Sequence, residues 1–261
     1  MTVAPTGLKV TILGCGGSLG VPLVGGNWGT CDPSNPKNKR LRPSILLQTA
    51  NTVVLVDTAP DCRQQLLDAG VTRLDAIVYT HAHADHVHGA DDIRPLRFGA
   101  EDLLPAYADA ATLKILEARF GYLMASITMD RGIYSPLLQP VLIDGPFHIG
   151  DIPVIPFTQN HGYSNTLGFR FGPFGYSTDV VALDDSAFEI LEGIDTWVVD
   201  AAREAPHPSH AHLDLTLSWI DRLKPRRAYL THMNHTMDYD RLVGMLPDGV
   251  APAHDGLVLE F

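Results

Sequence analysis

Cysteine is scarce: the 261-residue chain has three, Cys15, Cys31 and Cys62, spaced too far apart for a paired framework or a Cys-x-x-Cys metal knuckle. A disulfide-stapled scaffold is thereby excluded, and a reducing compartment, by default the cytoplasm, is expected. Positive charge is short as well. Nineteen Lys and Arg stand against 30 Asp and Glu, a formal net charge of −11, so the outer surface repels polyanions and offers no basic stripe for a nucleic-acid duplex. A small phosphorylated ligand is still compatible with that charge. The uncharged stretch from Thr11 to Cys31 has the length of a membrane span, but its glycines and Pro22 punctuate it as a loop. Lys9 falls where the apolar part of a secretory leader would already be running, so neither leader nor membrane association is expected. Internal repeats, low-complexity tracts and long linkers are lacking too, and the expectation is a single domain over residues 1–261, with a homodimer allowed.

What the chain does have is a succession of short β-rich runs, at 8–14, 44–49, 52–57, 75–80, 152–158, 166–171, 174–179, 196–201, 227–232 and 256–261, bounded by Gly, Pro, Asn or Asp. Ala50-Asn51 and Gly172-Pro173 read as hairpin turns. Helical patterns lie at 61–69, about 109–124, 184–192, 214–223 and 238–245, with Asp61, Asp184 and Asp214 as N-cap candidates. Hairpins mixed with β-to-α alternation predict layered sheets with helices outside, an α/β protein of αββα architecture.

Histidine is abundant, at 12 residues. Four of them crowd into Tyr79-Thr80-His81-Ala82-His83-Ala84-Asp85-His86-Val87-His88-Gly89, directly after the apolar run 75–80. Ligand-type side chains therefore sit where a buried strand opens into a loop. On extended backbone His81 and His83 point to one side, and Asp85 and His86 follow as the chain turns toward a helix. Imidazole nitrogens suit zinc, manganese or iron, and a neighbouring carboxylate adds a hard oxygen. One metal could take His81 and His83, a second Asp85 and His86.

This pattern resembles the His-x-His-x-Asp-His signature of the metallo-β-lactamase superfamily. The resemblance implies a four-layer αββα sandwich and three further ligands at later strand ends, matched by His161 after IPVIPFTQN, Asp179 at the end of FGYSTD and His232 at the end of RAYLTH. It further implies one metal on His81, His83 and His161, a second on Asp85, His86 and His232, and Asp179 with a hydroxide between them. The Gly-rich segment 13–22, Cys31-Asp32-Pro33, segments 40–44 and 88–96, and Pro206-His207-Pro208-Ser209-His210 are similar to the phosphoribosyl 1,2-cyclic phosphate phosphodiesterase branch, related to tRNase Z. The branch implies a dinuclear phosphodiesterase acting on a small phosphodiester or on a cyclic ribosyl or nucleotide phosphate. Two departures stand out: the cysteine-rich structural zinc site is reduced to Cys31, so no structural zinc is expected, and the long basic arm that grips tRNA has no counterpart.

Within that frame the catalytic candidates are His210, as the group that protonates the leaving oxygen, with His212 as its competitor, and Asp85. Arg94, whose fork matches phosphate, with Asp92 beside it and Ser18 in the Gly-rich loop, are the substrate-contact candidates. Arg94 reads equally well as a surface ion pair with Asp91 or Asp92. Asp57, in VVLVDTAP, resembles an aspartate that orients a metal-binding histidine. Gly16-Gly17-Ser18-Leu19-Gly20 matches a nucleophile elbow, but the sequence after it cannot make the required helix. The competing readings are an acyl hydrolase for a lactone or thioester on the same scaffold, a serine hydrolase using Ser18, and a non-catalytic nucleotide-binding protein. Met124, Met129 and Tyr134 fall in a region, 97–140, that is a candidate lid.

Overall fold

The apolar runs alternate between two cores, and that alternation builds the molecule. A computed structural model describes residues 7–124 and 136–261; Met129 and Tyr134 of the candidate lid lie outside the described residues. The first sheet contains β1 (Lys9–Gly14), β2 (Ser44–Gln48), β3 (Val53–Val56), β4 (Ala76–Val78), β5 (Leu104–Ala108) and β6 (Leu138–Leu142). The second contains β7 (Phe147–Ile149), β8 (Ile152–Asn160), β9 (Asn165–Phe171), β10 (Phe174–Ser177), β11 (Thr196–Asp200), β12 (Arg227–Thr231) and β13 (Val250–Pro252). The last strand, β14 (Val258–Glu260), returns to pair with β1, so the spatial orders are β14-β1-β2-β3-β4-β5-β6 and β13-β12-β11-β10-β9-β8-β7. Both sheets are mixed: β3 to β6 and β10 to β13 run parallel, the remaining pairs antiparallel.

Period-two burial explains the layers. Ile45 and Leu47 of β2, with Val54 and Val56 of β3, join Phe169, Phe171 and Tyr176 of the opposite sheet in the core between the sheets. Leu46 and Leu55, pointing the other way, join Leu66 and Leu116 of the outer helices α1 (Cys62–Asp68) and α3 (Ala110–Phe120). A strand covered on both faces reads as a continuous apolar run, as these do. The short α2 (Ala84–Val87) lies at the end of β4. On the far side α4 (Asp185–Leu191), α5 (Leu213–Leu223) and α6 (Tyr239–Val243) cover the second sheet. The arrangement is the metallo-β-lactamase fold, two mixed sheets flanked by helices.

Hairpins turn at 49–52, where Thr49 N–H donates to Thr52 O (2.9 Å), and between Phe171 and Phe174. Two capping expectations need correction. The Asp61 carboxylate makes no cap bond, because it is taken by the Arg42 backbone N–H (2.9 Å) and guanidinium (2.7 Å). Helix α5 begins one residue earlier than expected, with His212 at the N-cap, and Asp214 lies in its first turn, where a carboxylate still suits the helix dipole.

Candidate metal centre

Every sequence-nominated ligand lies at or just beyond the C-terminal end of a strand, and these ends meet at one edge of the sandwich. His81, His83, Asp85 and His86 follow β4, His161 follows β8, Asp179 follows β10 and His232 follows β12. In open α/β sheets this is the edge where ligands bind. The side chains form two groups of donors joined by one carboxylate: His81, His83, His161 and Asp179 in one, Asp85, His86, Asp179 and His232 in the other. Within each group the ligand atoms lie within 4.8 Å of one another. Asp179 Oδ1 faces His81 Nε2 (3.8 Å) and His161 Nε2 (3.7 Å), while Oδ2 faces His86 Nε2 (3.0 Å) and His232 Nε2 (3.4 Å).

Three of the histidines have their tautomer set from behind. His86 Nδ1–H donates to the buried Asp57 Oδ2 (2.6 Å). Thr80 Oγ1 gives its hydrogen to the same Asp57 oxygen (2.8 Å) and therefore accepts from His81 Nδ1 (3.0 Å). His161 Nδ1–H donates to the carbonyl of Ser209 (2.6 Å). Each ring consequently turns an Nε2 lone pair inward. The Nε2 atoms of His81, His86 and His232 are buried without a hydrogen-bond partner among the described residues, an arrangement that is costly for a polar core and suited to metal. This N/O donor set fits divalent metal ions.

Electrostatics point the same way. Burial works against ionisation of Asp85 and Asp179, yet His86 and, for Asp179, chiefly His232 hold both well below the usual carboxylate range. Burial also works against protonation of His232, but Asp179 and Asp85 raise it to about 9. His81 and His161, dominated by burial, are held low.

The backbone at the site is strained. Asp57 (φ 63°), Asp179 (φ 53°) and His232 (φ 57°) are three of the four non-glycine residues with left-handed φ among those described. Close approach also matters at two glycines. A Cβ at Gly17 would lie 3.2 Å from the His232 carbonyl, and Gly162, at φ 79°, would press one against Pro208 and Ser209. The Gly-rich loop thus seats against His232, and the 207–210 loop latches onto His161.

His210 and His212 separate cleanly. His210 donates from Nδ1 to Asp200 Oδ2 (3.0 Å), stacks on His232 (centroids 4.5 Å apart) and turns Nε2 toward Asp179 Oδ1 (4.0 Å). His212 is instead absorbed into the start of α5, its backbone bridged to Arg203. Arg94 pairs with Asp91 (3.6 Å) on the 3-10 turn Ala90–Arg97, and Asp92 accepts the Arg63 N–H (3.3 Å) at the start of α1. Neither lines the pocket next to His210, whereas Ser18 does; no helix follows Ser18. Asp200 escaped the sequence reading. For Asp200 a signal existed: TWVVDA ends a strand on aspartate just as VVLVDTAP does.

Fold and site together define a layered α/β protein whose strand-end His and Asp donors could hold metal ions. The family profile described as Beta-lactamase superfamily domain matches residues 52–233, and the chain belongs to that superfamily. A solved structure described as a new diphosphatase from the PhnP family is 36% identical, with a TM-score of 0.89 over 98% of each chain. An octanoyltransferase of Porphyromonas gingivalis is 31% identical over 255 residues, 96% of this chain and 51% of that protein. A ribonuclease Z of Bradyrhizobium sp. is 29% identical over 143 residues, 53% of this chain and 46% of that protein. The chain spans about half the length of the curated relatives it matches. No helix among the described residues is long and apolar enough to cross a membrane.

Proposed function

We propose that the chain is a dinuclear metal-dependent phosphohydrolase that cleaves a disubstituted phosphorus centre in a small molecule, a phosphodiester or a cyclic ribosyl or nucleotide phosphate. The observation that carries this reading is the pair of donor groups sharing Asp179. Two divalent cations held there, zinc, manganese or iron, supply Lewis acidity and a water acidic enough to be a nucleophile near neutral pH. The chain's own part is orientation and proton handling. Asp57, Thr80 and the Ser209 carbonyl fix the ligand rings, and Asp200 fixes His210 with its Nε2 toward the cluster. His210 is then placed to hold a proton for the departing oxygen. In the balance, the oxygen of water joins phosphorus, the scissile P–O bond breaks, and the leaving oxygen takes a proton.

The diphosphatase and ribonuclease Z likenesses support phosphorus chemistry. The octanoyltransferase likeness favours acyl chemistry as a second reading, but that name belongs to a protein about twice this length. Purified protein is expected to hydrolyse bis(p-nitrophenyl) phosphate, to lose the activity in EDTA, and to recover it with added zinc or manganese. Turnover of a lactone or thioester panel with none of the phosphodiester would overturn the proposal in favour of the acyl reading.

A further inference from the structure

A cavity of about 180 Å³ adjoins the cluster, sharing His210 and His232 with it and walled further by Leu19, Leu23, Ala202 and His207. Its walls are tied together by main-chain bonds. The Gly-rich turn hangs from the segment after β12 through Gly17 N–H on Met233 O (3.0 Å), and the 202–210 loop through Asn234 N–H on Ala202 O (3.0 Å). Buried Arg40 holds that same segment, donating to the carbonyls of Asn234 (3.2 Å) and Met237 (2.6 Å), while its backbone pairs with Val21, two residues before Leu23. A space framed in this way is preformed, as small-molecule sites generally are.

His210 belongs to both places. Its Nε2 turns toward the metal centre while the same ring forms part of the cavity wall. Around it Asp200 takes Nδ1 (3.0 Å), His232 covers one face (centroids 4.5 Å apart) and His161 packs edge-on (4.7 Å). A proton carrier must come within hydrogen-bond reach, about 2.6–3.2 Å, of the oxygen it serves. When the scissile P–O bond breaks and the leaving oxygen takes the proton held by His210, the group attached to that oxygen lies beside His210, and the space there is the cavity. Size and chemistry limit that group. An engineered cavity of about 150 Å³ in another protein takes up one benzene ring, so a space of about 180 Å³ has room for one ring and little more. Leu19 and Leu23 give the wall an aliphatic side, and Leu19 is 66% exposed, an apolar surface for a ring to cover. None of the lining residues is Asp or Glu, so no ionised carboxylate is stripped of water when a ring enters.

We propose that the cavity is the leaving-group pocket and that it admits a single ring with an apolar face. The substrate class is then an unequal phosphodiester: a one-ring phenol or alcohol departs on the His210 side, and the size limit falls on that side alone, leaving the retained group outside the cavity. The proposal rests on the phosphohydrolase reading, with His210 as proton carrier, and narrows it. Leu19 and Leu23 are its specificity-determining residues.

The test varies the two sides of the diester separately. For the metal-loaded protein, kcat/KM is measured on three substrates, each divided by its alkaline hydrolysis rate. These are methyl p-nitrophenyl phosphate, methyl 4-nitro-1-naphthyl phosphate, whose leaving group has two rings, and 2-naphthyl p-nitrophenyl phosphate, whose two-ring group is retained. Relative to the first, the second is expected to be slower by about 10–100-fold, the cost of overfilling a packed space, and the third to match it within a few-fold. Leu23→Ala and, on the exposed rim, Leu19→Ala are expected to recover the two-ring leaving group and to leave the ratio of third to first in place. Equal penalties on the two naphthyl diesters, no penalty on either, or a leaving-side penalty that both Ala variants leave unchanged overturn the pocket. Calorimetry with phenylphosphonate and 1-naphthylphosphonate reads the same limit without turnover: wild type is expected to favour the phenyl probe by a similar factor and Leu23→Ala to narrow it, whereas equal affinities in wild type overturn the pocket. If wild type turns over none of the three diesters, the phosphohydrolase reading fails, and the affinity ratio alone decides the pocket.

Discussion

Which nitrogen a histidine offers is decided by what its other nitrogen touches, and at this centre the deciding groups are Asp57, Thr80 and the Ser209 carbonyl. The same logic separates two kinds of variant. Asp179→Ala removes the carboxylate common to both donor groups; bound metal by elemental analysis and phosphodiesterase activity are expected to fall together. His210→Ala leaves both groups whole, so metal content is expected to persist while kcat drops about 10²–10⁴-fold. An Ala variant of His210 as active as wild type would remove it from the chemistry. The four-residue signature from His81 to His86 was legible because its spacing is local. The pairing of Asp200 with His210 was not, because the two lie ten residues apart and meet only when the end of β11 and the 207–210 loop are brought together.

Secondary elements were legible where propensity and burial agree. The double-faced apolar strands were all anticipated, whereas β5, β6, β7 and β13 were not. Three of these four lie at or next to sheet edges and carry proline, as in LPAYA, LQPVL and VAP. Proline removes a ladder donor, so such strands exist only through their neighbours. Helix α4 is the opposite case, since its start is written in one residue: the Asp184 carboxylate accepts the Ala187 N–H (2.9 Å). Asp184→Ala is expected to cost about 1 kcal/mol in urea unfolding, with metal content unaltered. A loss well below that would mean that packing of Phe188 and Leu191, and not the cap, holds the helix.

At the scale of the whole molecule, the chain's return from the second sheet to the first is clipped by Asp255, whose oxygens accept the N–H groups of Cys15 (3.0 Å) and Leu41 (2.7 Å). Burial raises its pKa to about 7 against those two donors, while an unfolded aspartate titrates near 3.9. Below pH 4 both states hold the proton and the group is neutral to stability. Between about pH 4 and 7 the unfolded chain releases its proton while the folded protein keeps it, so stability falls as pH rises and stays at the lower level above 7. Urea unfolding at pH 5 and pH 8 is expected to show a decline about 2–3 kcal/mol steeper in wild type than in Asp255→Asn, which cannot ionise; parallel behaviour would acquit Asp255. The acidic total is likewise less uniform than −11 suggests, because Asp57, Asp85, Asp179 and Asp200 are buried at the centre and leave the cavity beside it free of acids. The left-handed backbone of Asp57, Asp179 and His232 carries an evolutionary consequence. Each such residue is held at a cost of roughly 1–3 kcal/mol that glycine would relieve. A variant library selected for heat resistance alone is therefore expected to drift to glycine at these three positions, and one selected for turnover to keep Asp, Asp and His. Glycine frequency there becomes a gauge of whether a lineage of this fold still works for its living or has retired into a scaffold.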